Sequence, residues 1–200
     1  MTDDIWRGKL VAAIQRDYQT RTRLVQEGAL YDGYNPEMEA VHLDNARVLD
    51  DAIAALGWPG RSKVGEDGAA AAFKILQHAI SRPDLQRRGL ELLLEAIPRG
   101  DASALDAAYL SDRIAMYEGR EQTFGTQLDW NDATGQLSPS PIRDAANVDE
   151  RRAALGLPPM ADTIAEIRAT AAAEGGKPPE DLAQRRAQFE AWAHRVGWRA

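Results

Sequence analysis

The 200-residue sequence contains no cysteine and no long apolar run. The lack of cysteine excludes disulfides, cysteine-ligated zinc, iron–sulfur clusters and a cysteine nucleophile. No apolar stretch approaches the roughly 20 residues of a membrane-spanning helix, and the first residues do not resemble a secretory signal. The formal net charge of −7 argues against binding to nucleic acid or to an anionic membrane. We therefore expect a cytoplasmic protein with neither kind of partner.

Familiar catalytic motifs are also missing. The chain has no P-loop, no strand-linked GxGxxG, no GxSxG and no HExxH, which are the signatures of common nucleotide-binding and hydrolytic sites. The sequence does not specify a cofactor, and no reaction follows from a single motif.

The hydrophobic pattern is that of an all-α chain. Alanine is abundant, β-branched residues are sparse, and strict alternation of apolar and polar residues is nearly absent. Helices are predicted over about 4–27, 36–56, 66–81, 83–100, 101–119, 148–155, 161–174 and 180–196. An irregular β-hairpin is predicted near 122–142. We expect a helical bundle of about five main helices with this small hairpin insertion and peripheral C-terminal helices.

The same pattern predicts two parts of the chain. Residues 1–157 are expected to form the helical bundle domain, including the hairpin. Residues 158–200 are expected to form a C-terminal helical extension, which contains the linker Gly175-Gly-Lys-Pro-Pro179.

Two adjacent polar residues, Gln77 and His78, interrupt the most apolar predicted helix, and we place them near its middle. An unpaired buried amide or imidazole costs roughly 1–3 kcal/mol, so each side chain needs a partner. One interpretation is a histidine with one structural hydrogen bond. The other is a catalytic imidazole, which would be the general base or acid of an active site, with Gln77 binding polar substrate atoms.

Asp112 lies on the apolar stripe of the predicted fifth helix, and Arg113 follows it. A buried carboxylate needs a cation or several donors. Asp112 could therefore form an internal ion pair, or it could orient His78 as the second catalytic residue, with Arg113 binding substrate. A weaker alternative is a metal site made by His42, His78 and Asp112.

Three other features complete the candidate site. The segment Phe124-Gly-Thr-Gln127 places hydrogen-bonding side chains beside a glycine, which allows backbone N–H groups to approach a ligand closely. The other interpretation is a tight turn into the hairpin. Gln127, Trp58 and Tyr109 are our further candidates for substrate binding.

A series of short motifs resembles a bacterial family of unknown function, the domain of unknown function 6624. The motifs are Gly57-Trp-Pro59, Val64-Gly65, Ala71-Ala-Phe73, Gln77-His-Ala79, Gln86, Tyr109-Leu-Ser-Asp-Arg113, Glu118-Gly119, Gln122, Phe124-Gly-Thr-Gln127, Pro141-Ile142, Val148-Asp149, Arg151-Arg152 and Gly156-Leu157. The resemblance covers roughly residues 41–157. The family usually has tyrosine where this chain has Phe124 and aspartate where it has Ile80, so neither family side chain is essential here. The resemblance implies a shared site but no reaction.

Three functions are consistent with these residues. The first is a small-molecule enzyme with hydrolytic or proton-transfer chemistry, in which His78 and Asp112 line a pocket between the third and fifth helices. The second is a non-catalytic binding or protein-interaction module in which the polar motif residues are structural. The third is a metal-dependent enzyme that uses His42, His78 and Asp112. The expected ligand is a small polar molecule in the first case and a protein in the second.

Overall fold

The structure is a computed structural model that describes residues 2–30 and 33–200. In these residues it contains eight α-helices and one antiparallel pair of strands, which confirms the predicted helical class and the hairpin. The helices are α1 (Thr2–Gln26), α2 (Pro36–Leu56), α3 (Arg61–His78), α4 (Pro83–Ala96), α5 (Ala104–Tyr117), α6 (Val148–Ala153), α7 (Met160–Ala173) and α8 (Leu182–Val196). The strands are β1 (Leu128–Trp130) and β2 (Leu137–Pro139), and Leu128 pairs with Pro139.

The chain divides into two compact units, residues 1–107 and 108–200. The division falls within α5. The boundary that the sequence predicts after residue 157 is a different one and stays a prediction. The first unit holds the α1–α3 core and the second holds the hairpin and α6–α8.

In the first unit, α1 packs against both α2 and α3. Its buried side chains include Leu10, Ala13, Ile14 and Leu24, which share one face because they recur at helical spacing. The helical spacing of Trp6, Leu10, Ile14, Tyr18 and Val25 predicts that these residues share the buried face. For Tyr18 and Val25 the structure differs. Their predicted burial is wrong, since Tyr18 is 47% and Val25 is 40% exposed.

Helix α2 begins at a side-chain cap and is fixed to α1 by a buried amide. The Asn35 side chain accepts hydrogen bonds from the backbone N–H groups of Glu37 and Met38, as expected of an N-cap. Further along, the side chain of Asn45 donates to the carbonyl of Ala13 at 3.0 Å. This bond sets the position of the α2 face that also carries His42.

Helix α3 is interrupted at Gly65, whose φ of 70° and ψ of 176° are not helical. Beyond this break the helix continues to His78, its last residue. Our placement of Gln77 and His78 near the middle of a helix is therefore wrong. They form its C-terminal end, because the backbone at Ala79 leaves the helical conformation (φ −73°, ψ 46°).

Asp101, the first residue of the predicted fifth helix, is also its predicted N-cap, and this prediction is wrong. Asp101 accepts hydrogen bonds from the backbone N–H and the hydroxyl of Ser62, both at 2.8 Å, so it holds the start of α3. The α5 cap is Ser103, whose hydroxyl accepts from the N–H of Asp106.

In the second unit, the C-terminal helix is attached through aromatic side chains. The buried Tyr117 ring lies 5.9 Å from Phe189, 5.4 Å from Trp192 and 5.1 Å from Trp198, measured between ring centroids. Aromatic pairs at such distances stabilise packing beyond the area that they bury. Helix α8 is therefore packed against the end of α5.

Candidate functional site

Three side chains from three helices meet at one carboxylate oxygen. Oδ2 of Asp17, on α1, lies 2.8 Å from Nδ1 of His78, on α3, and 3.1 Å from Nε2 of His42, on α2. The centroids of the two imidazole rings are 5.2 Å apart. We refer to Asp17, His42 and His78 as the Asp–His cluster.

The three side chains of the cluster differ in their exposure to solvent. The side chain of Asp17 is only 1% exposed, that of His42 is 13% exposed and that of His78 is 27% exposed. Burial alone would raise the pKa of Asp17, but the two imidazoles at Oδ2 outweigh it and hold the pKa of this carboxyl well below its usual range. Asp17 is therefore a buried, ionised carboxylate.

Two buried atoms of the cluster have no hydrogen-bond partner among the described residues, namely Oδ1 of Asp17 and Nε2 of His42. The His42 nitrogen is near enough to Oδ2 for an ion-pair contact, but the direction is not that of a hydrogen bond. Unpartnered buried polar atoms are costly and rare in folded proteins. The cluster therefore carries an energetic cost that its described neighbours do not offset.

The second nitrogen of His42 is held from outside the cluster. Nδ1 lies 2.7 Å from the hydroxyl of Tyr34, and the two rings are stacked with their centroids 5.8 Å apart. Tyr34 thus fixes the plane of the His42 ring and directs Nε2 toward Asp17.

The end of α3 is held by Gln86, a fully buried residue of α4. Its amide nitrogen donates to the carbonyls of Leu76 and Gln77 at 2.8 and 3.1 Å. Carbonyls in the last turn of a helix have no partner within the helix. Gln86 therefore supplies two hydrogen bonds to the last turn of α3, next to His78.

Asp112 has a different set of partners. Its Oδ1 accepts from the N–H groups of Thr123 and Phe124 at 2.7 and 3.1 Å, and its Oδ2 accepts from Phe124 and Thr126 at 3.1 and 3.0 Å. The Thr126 hydroxyl is a further donor, at 3.1 Å. Both Asp112 oxygens are thus used by the loop, and His78 has its carboxylate contact with Asp17. The catalytic assignment of Asp112 stays a prediction.

The loop around Gly125 is held by further buried polar groups. Gln122 accepts from the N–H of Gln127 and donates to the carbonyls of Gln127 and Ser140. Arg152, only 2% exposed, donates to the carbonyl of Phe124 at 2.7 Å. The backbone N–H groups that we assigned to a ligand are consequently used by the protein itself, with Asp112 and Gln122 as their acceptors.

The remaining predicted residues fall into two groups. In the second unit, the Arg113 guanidinium lies 3.4 Å from the side-chain oxygen of Gln127, so these two are brought together, while Tyr109 is half-buried on α5. In the first unit, Gln77 accepts from Lys74 at 3.3 Å. Trp58 is buried and lines a cavity of about 80 Å³. Their assignment to substrate binding stays a prediction.

Asp17 is the residue of the Asp–His cluster that sequence reasoning missed, although the sequence held a signal for it. It lies seven residues after Leu10 and seven before Leu24, which is the spacing of one helix face. The buried face predicted for α1 included Tyr18 and Val25, so it left Asp17 out. A second missed signal is the Glu39-Ala-Val-His42 segment, whose Glu-x-x-His spacing is used for metal ligands in helical bundles. Glu39 accepts a hydrogen bond from Ser81 at 2.6 Å.

The fold and the cluster define a predominantly helical protein with a buried carboxylate shared by two imidazoles. Residues 7–176 match the model of the Family of unknown function (DUF6624), and the chain belongs to that family. No curated protein and no solved structure matched the chain. Over the part of the chain that the structure describes, no helix has both the length and the hydropathy to cross a bilayer.

Proposed function

We propose that the protein is an enzyme that carries out hydrolysis or proton transfer on a small polar molecule, with the Asp–His cluster as its catalytic centre. The observation that carries this proposal is the contact of 2.8 Å between the buried Asp17 carboxylate and Nδ1 of His78. It supports the catalytic role that the sequence suggested for His78 and gives the orienting role to Asp17.

The Asp17–His78 pair has the arrangement of a general base with its orienting group. A carboxylate that accepts the Nδ1 proton fixes the imidazole tautomer and leaves Nε2 as the nitrogen that takes up a proton. The ionised state of Asp17 suits this role, because a negative charge stabilises the imidazolium that forms when His78 gains a proton. His78 is the most exposed of the three residues, so it is the one that meets a substrate or water.

His42 and Tyr34 complete the support of the carboxylate. Residues that hold a catalytic group by hydrogen bonds and packing reduce the reorganisation that a reaction requires. His42 contacts the same oxygen as His78, so it limits the positions that Oδ2 can adopt. His42, Tyr34 and Asn45 are accordingly positioning residues.

Turnover by matched histidine variants tests the proposal. We suggest screening the protein against small carboxylic esters, amides and phosphate esters, with product release followed by NMR. General-base catalysis contributes about 10²–10⁴-fold, so His78→Gln should lose at least about 100-fold of any activity found. His194→Gln is the control, because His194 is exposed on α8; equal turnover by both variants would remove His78 from the mechanism.

A second candidate, a non-catalytic binding or protein-interaction module, is favoured by the environment of Asp112. There the motif residues bind one another and the loop backbone, as a structural role requires. The same screen separates the two candidates, since a module with a structural cluster turns over none of these substrates, and its His78→Gln variant differs from the parent only in stability.

A further inference from the structure

We propose that the Asp–His cluster binds one divalent transition-metal ion, with Oδ2 of Asp17, Nε2 of His42 and Nδ1 of His78 as its ligands. The inference uses the catalytic centre of the proposed function and names a cofactor for it. It replaces the metal set suggested by the sequence, in which Asp112 was the third ligand, with one whose atoms meet in the structure.

The distances suit a common ion. The ligand atoms lie within 4.8 Å of one another, and the two nitrogens lie 3.1 and 2.8 Å from the carboxylate oxygen. Metal–ligand bonds of about 2.0–2.2 Å bring two ligands of one zinc ion to about 3–3.5 Å from each other. Both nitrogen–oxygen distances are therefore within a few tenths of an ångström of the separation that coordination requires.

The unpartnered atoms point to the same conclusion independently. Nε2 of His42 faces a carboxylate oxygen without the direction of a hydrogen bond, and Oδ1 of the same buried carboxylate has no partner among the described residues. This contact of 3.1 Å leaves the two buried atoms without a directed hydrogen bond, whereas a cation between them would bind both. One ion would use the His42 lone pair and balance the charge of Asp17.

The outer contacts of the cluster also match a metal centre. Metal-bound imidazoles almost always use their other nitrogen in a hydrogen bond that fixes the ring, and Nδ1 of His42 has such a partner in the Tyr34 hydroxyl. Imidazole ligands select zinc, iron and related ions, whereas magnesium and calcium prefer sites built from oxygen. With only one carboxylate among three ligands, the cluster belongs to the first class.

Three protein ligands leave a coordination position open, which is the pattern of catalytic rather than structural zinc. When the ion binds, the proton on Nδ1 of His78 leaves to solvent, and Nδ1 then donates its lone pair to the metal. A water bound to the ion would lose one proton to solvent, and the hydroxide so formed would replace the free imidazole as the base or nucleophile that meets substrate.

Zinc binding to the full-length, chelator-stripped protein tests the inference without any substrate. We expect calorimetry and elemental analysis after dialysis to show one Zn²⁺ per chain, unaffected by excess Mg²⁺. Asp17→Asn, His42→Gln and His78→Gln should each weaken binding by about 100-fold or more, since loss of an outer partner alone costs about 10–100-fold. His194→Gln should bind as the parent does.

Two further measurements cover variants that fail to fold. Tyr34→Phe removes only the outer hydroxyl and should weaken zinc binding by about 10-fold. In ¹⁵N NMR spectra of the parent, zinc should shift the ring nitrogens of His42 and His78 and leave those of His194 unchanged. Absence of stoichiometric binding, or binding that shifts only His194, overturns the metal site. Zinc binding without turnover would instead keep the metal site and remove the proposed function.

Discussion

Oδ2 of Asp17 lies 2.8 Å from Nδ1 of His78, although 61 residues separate them in sequence. The contact joins α1 to the C-terminal end of α3, and His42 approaches the same oxygen from α2. A carboxylate buried in this way is stabilised only by the groups that surround it.

Replacing Asp17 should change the acid stability of the protein. The pKa of Asp17 is lowered in the folded state, whereas an unfolded aspartate titrates near 4. Its stabilising contribution is therefore complete above about pH 4 and is lost as the pH falls toward the lower folded value. In urea titrations of metal-free protein, Asp17→Asn should be less stable by about 1–3 kcal/mol at neutral pH.

The difference between the two proteins should narrow below about pH 4, because the parent then loses the charge that the variant lacks. A constant difference down to pH 2 would mean that Asp17 is not an ionised partner of the two histidines.

Gln86 should matter through the end of α3. Gln86→Leu retains most of the side-chain volume but removes both hydrogen bonds to the carbonyls of Leu76 and Gln77. We expect a loss of about 1–2 kcal/mol in the free energy of unfolding, together with faster amide exchange at Ala79, whose N–H bonds back into α3. A rise in stability would mean that removing the unpartnered Gln86 oxygen outweighs the loss of these two bonds. It would refute the role of Gln86 in holding the end of α3.

Asp112 should act on the loop formed by residues 123–126. Asp112→Asn removes the negative charge and one acceptor oxygen from a group that receives three backbone N–H donors. Hydrogen bonds to charged groups contribute about 1.5–3 kcal/mol each, so protection of the Thr123, Phe124 and Thr126 amides should fall by at least about 10-fold in hydrogen exchange. Asp129→Asn, in β1 beyond this loop and with its side chain 47% exposed, is the control; similar exchange of the loop amides in both variants would contradict the role of Asp112.

The same loop requires glycine at position 125. Its φ is +69°, and a Cβ atom there would lie 2.7 Å from Cδ1 of Ile142 and 2.8 Å from Sδ of Met160. Gly135 also has a positive φ, of +63°, but a Cβ atom there meets nothing within 4 Å. Gly135→Ala should therefore cost only the backbone strain of about 1 kcal/mol, and Gly125→Ala should cost about 1–3 kcal/mol more. Equal melting temperatures would show that the loop can move away.

Much of the fold follows from the sequence because its signals are local. Pro36, Gly57 and Pro83 bound helices where the pattern placed them, and the hairpin lies within its predicted range. The start of α3 was harder to predict, because its first turn is held by the hydrogen bonds of Ser62 to Asp101, which is distant in sequence. Tyr18 and Val25 show the same limit. Large apolar side chains also occur at exposed positions, so their spacing alone does not decide which face of a long helix is buried.

The candidate site was predictable only in part for the same reason. His42 and His78 stand out because histidine is rare in this chain and both occur within predicted helices. Their shared carboxylate required the correct face of α1, since Asp17 is one of many acidic residues and has no motif of its own. Asp112 was correctly seen as a buried carboxylate in need of partners, but its partners are backbone donors that no side-chain pattern announces.

Proton-detected ¹⁵N NMR of the metal-free protein tests the account most directly, because only three histidines contribute imidazole signals. We predict that neutral His78 carries its proton on Nδ1, directed at Asp17, and that Asp17→Asn changes this signal while leaving His194 unaltered. A His78 ring protonated on Nε2, or one indifferent to Asp17→Asn, would contradict the proposed catalytic pair.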